Sequence, residues 1–465
     1  MDRRTVVGGI QSPPTAFLLA VVVALVSWAA LADTGTTATM LSITLFCIVL
    51  WILTPIPPAY TGLIGIGLIA VAFSTEMALT GFQEPATWLV GFGLLMGEAT
   101  RRSGLANWAG RRITDRSISP AVGSNPLQAY RRLLLALSLG AHALALLVPS
   151  SLVRVLVLAP ILKETGELFE SRQARVGIYL GPLFVTFYGS SGILTADLPN
   201  IILTGFGQSI AGQQISWTEW FTHMYPVMGI ARVLVVIAVV YYLFRPEPES
   251  SFELPATDGL AASGTEKRMF GFLLVGAFIW ATDFAHGFHP VIGAVVVVVL
   301  AFLPQIGAAD FQNVGGETDF SILFFIAAVF AIGDGLVHTG FSDNAATYLL
   351  ELIPTDAPLA VILAFIFFIT IILTFLMEGL AVASVLTPIL IPYAEAAGLP
   401  ITPVLMSEAM ALSTYFFPYQ SAVLIVILAE GIVDTKELIY TTVACSLATI
   451  VFLLPLQFAV FALLY

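Results

Sequence analysis

The sequence predicts an all-α integral membrane protein, an inverted repeat of multi-helix units with re-entrant hairpins and interrupted transmembrane helices. Three observations carry this reading. Of 465 residues, 58% are hydrophobic and 10% charged, against about 25% charged in soluble domains. Apolar runs near 15–32, 40–55, 221–244, 269–304 and 438–465 recur along the whole chain, and several reach the ~20 residues a spanning helix needs, so about 10–12 membrane helices are expected. Landmarks in the first half return in the second. The apolar runs are continuous rather than alternating, which speaks against a β-barrel and leaves helices to satisfy the backbone in lipid.

The first run follows Met1-Asp2-Arg3-Arg4 and reaches Leu31-Ala32-Asp33 without a convincing cleavage site, so it reads as a first membrane helix rather than a signal peptide. Cys47 and Cys445 both lie inside apolar runs and can form neither a disulfide framework nor a metal cluster. The formal net charge of −12 gives no basic face for nucleic acid. There is no Walker sequence, paired-His motif or nucleophile elbow, so neither pumping by nucleotide hydrolysis nor an enzyme is expected, and no cofactor or metal.

A polar, Pro/Ser/Gly-containing stretch divides the chain into a first membrane unit (1–245), a linker (246–265) and a second unit (266–465). "GEATRRSGL" at 97–105 matches "GDGLVHTGF" at 333–341, pairing Gly97 with Gly333, Glu98 with Asp334 and Gly104 with Gly340. "APIL" at 159–162 matches "TPIL" at 387–390, and "LPNI" at 198–201 lies opposite "PYQS" at 418–421. Residues 101–132 carry seven arginines and one acid, whereas 337–357 carry no Lys or Arg. By the positive-inside rule these loops face opposite sides, so the second unit is inverted, as in many secondary transporters with midplane sites. Arg3, Arg4, Lys267 and Arg268 put the N-terminus and linker on the cytoplasmic side of the cell membrane, and the C-terminus outside.

Each half interrupts its apolar runs twice, at Pro149-Ser150-Ser151 and 188–200 in the first, and at Met377-Glu378-Gly379 and 413–421 in the second. A broken membrane helix persists only where the gap is buried in protein or lines a wet cavity. Freed carbonyls suit a cation, and helix N-termini suit an anion. Leu133–Leu147 and Leu152–Leu162 are each short for a full span, which predicts a re-entrant hairpin with its tip at 149–151.

"PSSLVRVLVLAPIL" resembles the Ser-Asn-Thr hairpin tip of the divalent anion/sodium symporter family of the ion transporter superfamily, and "SSGILTADLPNIIL" resembles that family's Thr-Pro-Pro-Asn segment. "MEGLAVASVLTPIL" and "FFPYQSAVL" stand where the second copies would be, and "GFGLLMGEATRRSGL" and "LFFIAAVFAIGDGLVHTGF" are similar to the helices preceding each hairpin. The resemblance covers about residues 40–465. It implies a secondary transporter of small anions, di- or tricarboxylates or sulfate, working by alternating access as a homodimer, with tips that hold sodium and substrate carboxylates. Here the two Ser-Asn-Thr tips become Ser150-Ser151-Leu152 and Glu378-Gly379-Leu380, which removes two amides and two hydroxyls. Sodium, a proton, or exchange with no coupling ion all remain open. Alternatives are an arsenite or other oxyanion efflux permease, an anion channel, and a sensor that binds without flux.

The residues expected to meet substrate are Ser150, Ser151, Arg154, Asn200, Glu378, Gly379, Gln420 and Ser421. Those expected to serve a coupling cation or proton are Ser150, Gly192, Thr195, Asp197, Glu378, Ser413 and Thr414. A charge at mid-membrane costs from ~2.5 to ~17 kcal/mol depending on the method, so Arg154 faces the anion, replaces a lost cation, pairs structurally with an acid such as Glu378, or snorkels to the interface from a shallow tip. Glu98 and Asp334 read as structural caps or pairs, His142 as a packed, hydrogen-bonded residue, and 101–132 as a topology determinant.

Overall fold

Apolar runs that few charges interrupt close their own backbone hydrogen bonds as helices, and the computed structural model is built of little else. It describes residues 13–53, 56–118, 125–247, 251–252, 261–314, 318–353 and 357–465. Arg3, Arg4 and most of the linker lie outside them. Among the described residues six helices are long and apolar enough to cross a membrane: Thr36–Leu53, Pro126–Leu147, Trp217–Phe244, Ser321–His338, Gly379–Ala396 and Thr435–Leu464. Five more apolar helices are shorter, Pro14–Ala30, Pro58–Ala72, Val291–Ala301, Leu359–Thr374 and Ile401–Leu412. Large apolar side chains such as Val71, Phe278 and Phe452 stand exposed on the outside, a surface that suits hydrocarbon rather than water.

The halves run through one succession of elements. Pro85–Ser103 ends at Gly104 and continues as Leu105–Ser117, and Ser321–His338 passes through Gly340 into Phe341–Leu352. Gly104 and Gly340 take φ of 77° and 75°, the left-handed turn for which glycine has no Cβ penalty. A hairpin follows in each half, Pro126–Leu147 with Ser151–Gly166 and Leu359–Thr374 with Gly379–Ala396. Next come Arg172–Tyr188 and Ile401–Leu412, a broken segment, then Leu198–Ala211 and Ala422–Ala429. Each half closes on a long helix with a π-helical stretch, Tyr225–Ala231 and Thr449–Leu453.

The halves also interlock. The return arm of the second hairpin packs on helix 198–211, and that of the first packs on helix 422–429. Each hairpin thus leans on the helix that follows the other half's break.

One expectation is corrected. The first arm of the first hairpin is not short: it runs 22 residues from Pro126, with the Asn125 side chain accepting from the Gln128 N–H at 3.2 Å. Arg131 and Arg132 stand exposed on its flank, and the helix runs back from the apolar run at Leu133 through both of them to its cap. Its return arm has 16 residues.

Candidate functional site

At the first tip, Ser150 takes φ of 69°, a conformation that costs a non-glycine residue about 1–3 kcal/mol and is held only by its surroundings. Its hydroxyl accepts from Val153 N at 3.5 Å, and the Ser151 hydroxyl donates to Asp197 Oδ1 at 3.3 Å. Arg154, in the first turn of the return arm, is fully buried. Its Nε donates to Thr186 Oγ1 at 2.8 Å, and Nη1 to the carbonyls of Val148 at 2.7 Å and Ala196 at 3.2 Å. Nη2 donates to the Thr186 carbonyl at 2.8 Å, the Ser190 hydroxyl at 2.6 Å and the Ala196 carbonyl at 3.2 Å. Every N–H of the guanidinium fork therefore has a protein acceptor. Arg154 is turned into the gap between tip and break, and no donor remains for a free anion. Among the described residues no ion pair joins it to Glu378.

The first break is braced by Asn200, in the first turn of helix 198–211. Its Nδ2 donates to the carbonyls of Ile193 at 3.0 Å, Ser190 at 3.3 Å and Ser191 at 3.4 Å, while Oδ1 has no partner. Asp197 is buried with Oδ2 equally unpartnered. Thr195 Oγ1 accepts from the Trp217 indole at 3.2 Å. Gly192 lies where a Cβ would come within 2.6 Å of Gly229 N, so the break rests directly on the backbone of the π-helical stretch.

The second half repeats this with different atoms. Glu378 caps its return arm, Oε2 accepting from Leu380 N at 2.9 Å. Gly379 is open by comparison, its nearest atom to an added Cβ being Leu412 O at 3.6 Å. Gln420 braces the second break as Asn200 braces the first. Oε1 accepts from Phe416 N at 2.7 Å and Phe417 N at 2.8 Å, and Nε2 donates to Thr374 O at 3.2 Å and Thr374 Oγ1 at 3.1 Å. Ser421 caps helix 422–429, accepting from Val423 N at 3.3 Å.

Arg232, which the sequence reading passed over, joins the two breaks. It is fully buried, with Nη1 3.0 Å from both the Ser191 and Ser413 hydroxyls and Nη2 2.8 Å from the Ser413 carbonyl and 3.3 Å from Thr414 Oγ1. Its guanidinium carbon lies 4.9 Å from the Tyr188 ring centroid, a cation–π distance. An arginine within the apolar run "MGIARVLVV" was the available signal, the same that singled out Arg154.

The structure thus gathers Ser150, Ser151, Arg154, Gly192, Asp197 and Asn200 around the first tip and break, and links Ser191 through Arg232 to Ser413 and Thr414. Glu378, Gly379, Gln420 and Ser421 frame the second. Glu98 is ion-paired with Arg101 and Arg102, and His142 Nε2 lies 3.1 Å from the Tyr225 hydroxyl under a stacked ring. A cleft beside helices 85–103 and 198–211, reaching Gln214 and His289, takes in none of the expected site residues.

A helix begins at every break, at Ser151, Leu198, Gly379 and Ala422. Their N–H groups and dipoles form electropositive ends suited to an anion. Two hairpins, two broken segments and four helix N-termini in a lipid-facing helical body are the frame of a secondary transporter of small anions. The model of the sodium:sulfate symporter transmembrane region matches residues 14–464, and the chain belongs to that family, the divalent anion/sodium symporters. L-tartrate/succinate antiporters of Escherichia coli (strain K12) and Shigella dysenteriae serotype 1 (strain Sd197) are each 26% identical over 426 residues, covering 83% of this chain and 84% of theirs. The crystal structure of the Alcanivorax borkumensis YdaH transporter shares the fold at a TM-score of 0.51 and 14% identity, covering 83% of this chain and 86% of that one.

Proposed function

We propose that this protein carries small dicarboxylates across the cell membrane by alternating access without sodium, Arg154 standing where the first tip would otherwise hold a free cation. The observation that supports it is the Arg154 cage: carbonyls of Val148, Thr186 and Ala196 and hydroxyls of Thr186 and Ser190 converge on one guanidinium. Carbonyls freed by broken helices are what a bare cation needs, and here a tethered one uses them. Its charge cannot leave, so no sodium gradient acts through it, and it returns with the empty carrier.

The substrate is met by the four helix N-termini, above all those at Ser151 and Gly379. Similarity to L-tartrate/succinate antiporters favours four-carbon dicarboxylates and exchange over sulfate uptake. In this reading the N-terminus and linker are cytoplasmic, and the protein works as a homodimer.

Counterflow tests the reading. Proteoliposomes preloaded with unlabelled succinate or L-tartrate should take up the labelled compound faster than empty ones. A channel would show no such acceleration, and flux of sulfate but of no dicarboxylate would overturn the substrate class.

A further inference from the structure

Helix Ile401–Leu412 is buried at every residue, yet it carries an acid. Glu408 has no exposed surface. Its Oε1 accepts from Thr387 Oγ1 at 3.0 Å, and Oε2 is buried with no hydrogen-bond partner. Among the described residues the helices packed most closely on 401–412 bring no cation; Trp217–Met224, which also carries His223, meets only its first turn, where Thr402 Oγ1 donates to Glu219 Oε1 at 3.1 Å. Leu359–Thr374 and Leu198–Ala211 contain no titratable residue. The arm 379–396 contributes Tyr393 and Glu395, with Glu378 at its cap, and none of these is a cation. Ser407, one residue before, is occupied with the Leu363 carbonyl at 2.8 Å.

An ionised carboxylate so placed would carry an unpaired charge in a low-dielectric interior, a cost of at least several kcal/mol. The neutral acid avoids it and keeps the threonine contact. Thr387 also sits at a weak point of its helix, because Pro388 has no N–H for the Ser384 carbonyl and Pro392 none for that of Pro388. A bend there would part Thr387 from Glu408 and admit water.

From this geometry we infer that Glu408 is a proton-carrying site of the second half, loaded while the arm 379–396 is packed and unloaded when that arm bends. The proton comes from water on the side the carrier faces, resides on the carboxyl while the loaded carrier crosses, and leaves to water on the other side. No other bond changes. The inference rests on the carrier reading but not on the role given to Arg154.

The test is Glu408→Gln, which keeps the shape and stays neutral at all pH. In proteoliposomes without internal substrate, a pH gradient should drive succinate accumulation by the wild type, about tenfold per pH unit for one proton per cycle. E408Q should lose this accumulation yet retain counterflow at equal pH, since a fixed neutral group permits exchange but not proton release. Accumulation by E408Q equal to wild type would overturn the inference, as would absence of any pH-driven accumulation in a wild type that shows counterflow. A wild type without counterflow would instead sink the carrier reading. Should E408Q not exchange, the wild-type-minus-E408Q infrared difference spectrum of the purified proteins decides: a protonated-carboxyl band at neutral pH supports the inference, and its absence overturns it.

Discussion

The Nη2 atom of Arg154 lies 2.6 Å from the hydroxyl of Ser190, joining the first turn of the hairpin's return arm to the start of the broken segment. The same guanidinium reaches the carbonyls on either side of that hydroxyl's segment, at Thr186 and Ala196. Removing it leaves buried acceptors without a charged donor, and hydrogen bonds to charged groups are each worth about 1.5–3 kcal/mol. Arg154→Ala should therefore lose more than about 3 kcal/mol of stability. If the cage is a cation site with a tethered occupant, sodium chloride should raise the melting temperature of R154A more than choline chloride does, and should not do so for the wild type. Equal response of both proteins to sodium would remove the tethered-cation interpretation.

Arg232 fastens the first break to the second, with the Ser191 and Ser413 hydroxyls both 3.0 Å from Nη1. A lysine ammonium is a point charge and cannot reproduce that fork. Arg232→Lys should slow counterflow by about tenfold or more, or about 1.4 kcal/mol of barrier, with a smaller change in half-saturating substrate concentration. An unchanged rate would mean that the breaks move without being held together.

The two glycines of the site make opposite predictions. A Cβ at Gly192 would meet Gly229 N at 2.6 Å and Gly229 Cα at 2.8 Å, whereas one at Gly379 meets nothing nearer than 3.6 Å. Gly192→Ala should cost about 1–3 kcal/mol through overpacking against backbone that cannot rotate away. Gly379→Ala should leave the thermal melt nearly unchanged. The reverse order would contradict the packing of the first break on the π-helical stretch.

Asn200 and Gln420 act as braces, and their contacts are with their own halves. Asn200→Ala removes a donor shared among three carbonyls, and Gln420→Ala removes both an acceptor for two backbone N–H groups and a donor to Thr374. Each should lower stability by about 1–3 kcal/mol, read from thermal unfolding, and should reduce turnover more than substrate affinity. A selective loss of affinity at full stability would instead make the amide a direct substrate ligand.

The fold was legible because lipid leaves few options. Continuous apolar runs could only be helices, and Gly104 with Gly340, paired by the match of 97–105 to 333–341, proved to take the same left-handed turn. The breaks were legible for the same reason, since Pro149-Ser150-Ser151 and Met377-Glu378-Gly379 have no place in an uninterrupted span. What spacing could not give was direction. Arg154 was found at the tip, but its side chain turns inward to carbonyls that belong to residues 32 and 42 positions away. The partners of Arg232 and Glu408 are likewise long-range: Ser413 is 181 residues from Arg232, and Thr387 21 from Glu408. The length of the first hairpin arm was missed because its apolar run begins only at Leu133, while the helix starts at Pro126 and carries a polar first turn and two exposed arginines before it.

The central claim is that a guanidinium built into the first tip replaces a free sodium ion. Initial rates of counterflow, measured with whichever of succinate and L-tartrate exchanges faster, test it most directly when sodium is replaced by choline at equal ionic strength on both sides. The account predicts rates equal within about twofold, or about 0.4 kcal/mol of barrier, and no accumulation when an inward sodium gradient is imposed. Uptake that requires sodium, or accumulation driven by its gradient, would contradict it.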